Sequence, residues 1–133
     1  MSFYLTGNSG DEYNVNISGW SFFRELIEQL GFDSVYISQT NDGEIDRAHA
    51  IKYGESILRA LKDNKIMLER SSTKAARYSK KGYTEKPYVG PDSEADYVTA
   101  LISGNYIPLS QEDKSWLEEF ANFCIASDGF SIS

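Results

Sequence analysis

Apolar and polar positions change their spacing along this chain, and the changes mark its elements. Phe3-Tyr4-Leu5 is a short apolar run, Gly7-Asn8-Ser9-Gly10 is a turn, and Tyr13, Val15 and Ile17 then alternate with Asn14 and Asn16. Alternation of this kind is the signature of a strand with one buried face, so the two runs are predicted to pair as a hairpin. Directly afterwards the period lengthens. Trp20, Phe23, Ile27 and Leu30 recur at helical spacing, with Phe22 and Leu26 widening the stripe and Glu25 and Glu28 off it. Ser18 is the predicted N-cap and Gly31 the stop.

Val35-Tyr36-Ile37 is a further strand candidate, ended by the turn Asn41-Asp42-Gly43. A second helix is predicted from about Asp46, its cap, to about Lys62, with Ala50, Ile51, Gly54, Ile57, Leu58 and Leu61 on one face. Glycine inside a helix costs about 1 kcal/mol relative to alanine, so Gly54 points to close approach of another element. From 69 to 90 the composition turns to serine, lysine, glycine and proline, and the segment reads as a basic, polar, mobile loop. Asp92 could cap a short helix bearing Tyr97, Val98, Leu101 and Ile102. Ser110-Gln111-Glu112-Asp113 resembles a capping box and opens a helix carrying Trp116, Leu117, Phe120, Phe123 and Cys124. Phe130 and Ile132 form a closing strand. The expected fold is a small single α+β domain over 1–133, with a short antiparallel or mixed sheet and about four helices.

Composition places the chain among ordinary globular proteins, with 41% hydrophobic and 14% aromatic residues in 133. A domain of that length buries about two thirds of its unfolded surface and needs no disulfide framework. One cysteine, Cys124, fits a reducing compartment. Met1 to Gly10 lacks the basic start and apolar stretch of a signal peptide, and no apolar run approaches the roughly 20 residues that cross a bilayer. A cytoplasmic protein with no membrane partner is therefore expected.

Charge adds a division that the periodicity does not show. The net charge is −7, yet Arg70, Lys74, Arg77, Lys80, Lys81 and Lys86 face a single acid, Glu85, between 70 and 86. That segment is +5, which leaves −12 on the rest. An acidic body steers basic partners toward it and repels nucleic-acid phosphates. Tyr78, Tyr83 and Tyr88 interleave with the cations, and cations with aromatic faces are what single-strand binding uses. The same segment also reads as plain solvated surface, or as a strap for an acidic body or partner.

Groups for catalysis are few. His49 is the only histidine, so a His-based metal site would need carboxylates for most of its ligands. A His49–Cys124 nucleophile pair is opposed by the apolar neighbours Phe120 and Phe123, which mark Cys124 as a core thiol. Asp42, Glu44 and Asp46 place three acids in five residues. Against the calcium-loop pattern they lack the terminal glutamate and the earlier acids, and a helix N-terminus explains them equally well. Neither a cofactor nor a metal is expected.

Three segments together resemble a pattern of small uncharacterised bacterial and phage proteins. They are the aromatic helix start Ser18-Gly19-Trp20-Ser21-Phe22-Phe23-Arg24-Glu25-Leu26, the run Ser38-Gln39-Thr40-Asn41-Asp42-Gly43 leading to the Ala-rich helix at Asp46 to Leu61, and Glu119-Phe120-Ala121-Asn122-Phe123-Cys124 followed by Gly129-Phe130-Ser131-Ile132. The resemblance covers the two ends of the chain and leaves 67–104 unmatched. It implies a bacterial or phage origin and carries no activity and no site residues.

The expected function is non-enzymatic binding of another macromolecule, as immunity, inhibitor or regulator proteins do, with a protein, basic in character, as partner. Candidate contacts are Arg70, Lys74, Arg77, Tyr78, Lys80, Lys81 and Tyr83 on the basic segment and Asp42, Glu44 and Asp46 on the acidic turn. Tyr36, Tyr53 and Tyr106 are candidate aromatic anchors. Two alternatives remain open: a small enzyme using carboxylates and tyrosines on a nucleotide-like substrate, and a nucleic-acid module using 70–88. A homodimer is compatible with each.

Overall fold

The computed structural model describes residues 2–32, 43–69, 86–90, 98–99, 102–104 and 106–133. Strands β1 (Ser2–Gly7) and β2 (Glu12–Asn16) form the expected hairpin, with Phe3 opposite Val15 and Leu5 opposite Tyr13. Helix α1 (Ile17–Gln29) follows without a linker. Its cap is Asn16 rather than Ser18: the Asn16 side chain accepts the Gly19 N–H at 2.8 Å while its backbone still belongs to the strand. One residue thus ends the ladder and starts the helix, a role that alternation alone cannot reveal.

Strand β3 (Glu44–Ile45) leads into helix α2 (Arg47–Lys62), capped by Asp46 as expected. Strands β4 (Ile66–Glu69), β5 (Lys86–Val89) and β6 (Tyr106–Pro108) come next, then helix α3 (Gln111–Ala126) and strand β7 (Phe130–Ile132). Ser110 and Asp113 exchange both bonds of a capping box at the start of α3.

Two antiparallel sheets result, ordered β2-β1-β7-β3 and β5-β4-β6. The α+β class holds, and the second sheet is a correction. The stretch from 69 to 90 was expected to be loop, yet Glu69 and Lys86–Val89 pair as strands; 70–85 lie outside the described residues. Three helices are described where about four were expected. Of the helix expected after Asp92, only Val98, Thr99 and Ile102 are described as helical, and Val98 and Ile102 are 46% and 79% exposed. Those two residues therefore do not build a buried stripe. The candidate strand Val35–Ile37 lies outside the described residues.

One core joins the elements. Phe23 of α1 stacks on Phe120 of α3 with centroids 3.8 Å apart and on Trp116 at 4.3 Å. Tyr13 of β2 lies against Phe23, Phe120 and Phe123. Helix α2 packs on α3 at Gly54, where a β-carbon would stand 2.5 Å from the Ala121 carbonyl oxygen. The close approach inferred from mid-helix glycine is thus present. Leu5, Ile57, Ile66, Leu68 and Ile132, all buried, bring both sheets into the same cluster.

Candidate functional site

Two of the three acids at the expected acidic turn, Glu44 and Asp46, line a surface depression of about 610 Å³ with Asn8, Arg47, Asp128 and Ser131. Asp42 lies outside the described residues, as do Arg70, Lys74, Arg77, Tyr78, Lys80, Lys81 and Tyr83. The depression forms where three turns meet. Asp128 and Gly129, at φ 60° and 91°, reverse the chain between α3 and β7. A β-carbon on Gly129 would come within 2.9 Å of the Ile45 carbonyl oxygen and 3.0 Å of the Arg47 nitrogen, so glycine is required there. The Asn8 side-chain amide donates to the Asp128 carbonyl at 2.9 Å and clamps the β1–β2 turn onto the same spot.

Most of the polar groups in this depression are already engaged. Asp46 accepts the His49 backbone N–H at 2.8 Å and lies 2.7 Å from the His49 Nδ1. Arg47 stands 3.1 Å from the Asp128 carboxylate. Glu44 is exposed at the end of β3. Among the described residues no group of three or more His, Cys, Asp or Glu could hold a metal ion. The acidic turn serves as a helix cap and an ion-paired junction.

Cys124 is fully buried, and that burial pushes its thiol well above the ordinary range, away from the thiolate a nucleophile needs. His49 is held by Asp46 and packs edge-on to Tyr53. Of the candidate anchors, Tyr53 is 1% exposed and belongs to the core, because α2 turns that face toward Phe32. Tyr106 stacks on Tyr88 at 4.3 Å, and Tyr36 lies outside the described residues.

Charge organises the described surface more clearly than any pocket does. Residues 2–32 and 111–133, which hold β1, β2, α1, α3 and β7, carry nine acids and two bases; residues 43–69 carry five of each. Of those nine acids only Asp113 is buried. The acidic half includes Asp11 and Glu12 at the sheet edge and Glu119 beside Tyr13, whose hydroxyl is pushed up by burial and then by the Glu119 charge. Position along the chain does not single out these residues, because only the packing of α1 and α3 onto β2 gathers segments a hundred residues apart.

Comparison with protein-family models, with curated proteins and with solved structures finds no match.

Proposed function

We propose that this chain is a non-enzymatic protein of bacterial or phage origin that binds a basic macromolecule in the cytoplasm, in the manner of an immunity, inhibitor or regulator protein. The observation that carries this reading is the one-sided charge, nine acids against two bases on the half built from β1, β2, α1, α3 and β7. A single-sign face raises encounter rates with an opposite charge and deflects phosphate backbones. A buried thiol, an engaged histidine and a capped acidic turn support binding over chemistry. Among the described residues no helix is long and apolar enough to cross a membrane.

Capture from a bacterial host lysate at rising salt tests the reading. The expected result is a basic protein retained at low ionic strength and released over the range where the Debye length shrinks from about 30 to 8 Å. Recovery of nucleic acid alone, or of nothing at low salt, counts against it. A thermal-shift screen with nucleotides and divalent ions tests the enzymatic alternative, since a ligand at a hundred times its Kd stabilises by about 2.7 kcal/mol.

A further inference from the structure

The four-stranded sheet ends on β2, and the pairing pattern shows which of its backbone groups face outward. Tyr4 exchanges both backbone bonds with Ser133 of the β7 side, at 2.8 and 2.9 Å, and Gly7 N–H donates to the Asp11 carbonyl at 2.7 Å. Groups alternate sides along an antiparallel strand, so Tyr4 and Thr6 face β7 while Phe3, Leu5 and Gly7 face β2. On β2 it is therefore Asp11, Tyr13 and Val15 that bond inward. The N–H and C=O of Glu12 and Asn14 point away from the sheet, and both residues are exposed.

Open edges are a hazard that folds usually blunt. The other long edge of this protein is blunted. On β5, Pro87 has no N–H to offer, and the Gln29 side chain takes two of the outward groups, donating to the Pro87 carbonyl at 2.6 Å and accepting from Val89 N–H at 2.8 Å. The edges at β3 and β6 are only two and three residues long. Among the described residues β2 has neither proline nor cap nor cover, and acids stand around it. Asp11 and Glu12 stand on the edge, and Glu119 is the exposed α3 neighbour of Phe120, whose ring lies 5.8 Å from that of Tyr13.

We propose that β2 is a docking edge that receives an extended, lysine- or arginine-bearing segment of a partner protein as a fifth strand. The proposal rests on the basic-partner reading above and gives it a geometry. Main-chain bonds to Glu12 and Asn14 supply four contacts of the strand-addition kind. Alternate side chains of the guest strand then lie on the solvent face opposite Glu12, where a cation is favoured, and on the inner side over the Tyr13 ring, with a cationic head within reach of Glu119. A second copy of this chain offers at this edge a strand that bears acids, Asp11 and Glu12, and no lysine or arginine, so it lacks the cation that the edge favours and adds charge of the same sign nearby. Self-pairing is therefore disfavoured.

The test uses the full chain and short synthetic peptides: one alternating lysine with valine, its glutamate counterpart, and the lysine peptide interrupted by proline. The lysine peptide is expected to bind and to slow hydrogen exchange at the Glu12 and Asn14 amides; the other two are expected not to. Asn14→Pro removes an outward N–H without touching the β1 ladder, and Glu12→Lys reverses the edge charge. Each is expected to weaken the lysine peptide about tenfold or more, the scale of one hydrogen bond or ion pair. Unchanged exchange of the inward-bonded Val15 amide shows that each variant keeps the fold, and Glu12→Lys carries the test alone if Asn14→Pro does not fold.

Binding equal to the unaltered chain in Glu12→Lys, protection away from β2, or no binding of the lysine peptide overturns the proposal. So does protection of Glu12 and Asn14 in the protein alone at high concentration, which would mean a self-paired dimer. If lysate capture succeeds while these edge variants have no effect, the docking mode fails and the basic-partner reading stands. If the peptide binds at β2 but the host holds no basic partner, the reverse holds.

Discussion

The outer strands β2 and β5 carry the same problem and treat it differently. Among the described residues each presents two alternate positions whose backbone groups have no neighbouring strand. At β5 a side chain from α1, Gln29, supplies the missing donor and acceptor, and a proline removes a donor. At β2 the groups of Glu12 and Asn14 face solvent among acids. The difference teaches that edge exposure here is selective: β5 has outward groups taken by a helix side chain, while β2, set among acids, leaves its outward groups available.

The largest perturbation asks whether the two edges share one cooperative unit. Phe23→Ala removes the ring stacked between Phe120 and Trp116 and is expected to cost about 3–5 kcal/mol in denaturant unfolding. Hydrogen exchange should then accelerate at β2 and β5 together, because α1 touches both sheets. Acceleration at β2 alone would divide the molecule into two units.

Alkaline pH bears next on the ground beneath β2. Tyr13 and Cys124 both have folded-state values raised above ordinary ones, chiefly by burial. A raised value means that their contribution is intact below the unfolded values, about 8.5 for thiol and 10 for phenol, and is lost as pH rises past them toward the folded ones. Unfolding free energy should therefore fall above about pH 9, by up to about 1.4 kcal/mol per pH unit for each group. Tyr13→Phe and Cys124→Ala should each remove part of that slope, and a slope unchanged in both variants contradicts the assignment.

Gln29→Ala uncaps β5. The loss of two partly exposed hydrogen bonds is expected to cost about 1–2 kcal/mol and to speed exchange at Val89. A neutral outcome would erase the contrast between the edges. Asn14→Pro should have the smallest effect, within about 0.5 kcal/mol, because the lost donor has no partner in the fold. A loss of several kcal/mol would show that Asn14 bonds inward and that the edge is misassigned.

The helices were legible in advance wherever their own residues carried the signal. Asp46 caps α2 and Ser110 with Asp113 caps α3, since capping depends on groups within three residues. Gly54 announced the approach of another element by its helix position alone, and the structure identifies that element as α3. Sheet β5-β4-β6 was not legible. Ile66-Met67-Leu68 is too short to separate from the end of a helical run, and Lys86-Pro87-Tyr88 reads as loop until Gln29 is seen to cover its edge. Of the candidate site residues, Glu44 and Asp46 meet at one depression but act chiefly as strand end and cap. Glu12 and Glu119 could not be singled out, because nothing in their local surroundings distinguishes them from other surface acids.

By itself the chain determined an α+β domain with the caps of α2 and α3, its buried thiol and an acid excess. Each of these follows from residue type and short spacing, where interactions run between near neighbours. Tertiary structure alone decided which strand stands at which edge and which edge is covered. It also decided that acids from β2 and α3 share one side. Strand order and helix packing join residues more than a hundred positions apart, and no local pattern encodes such a juxtaposition.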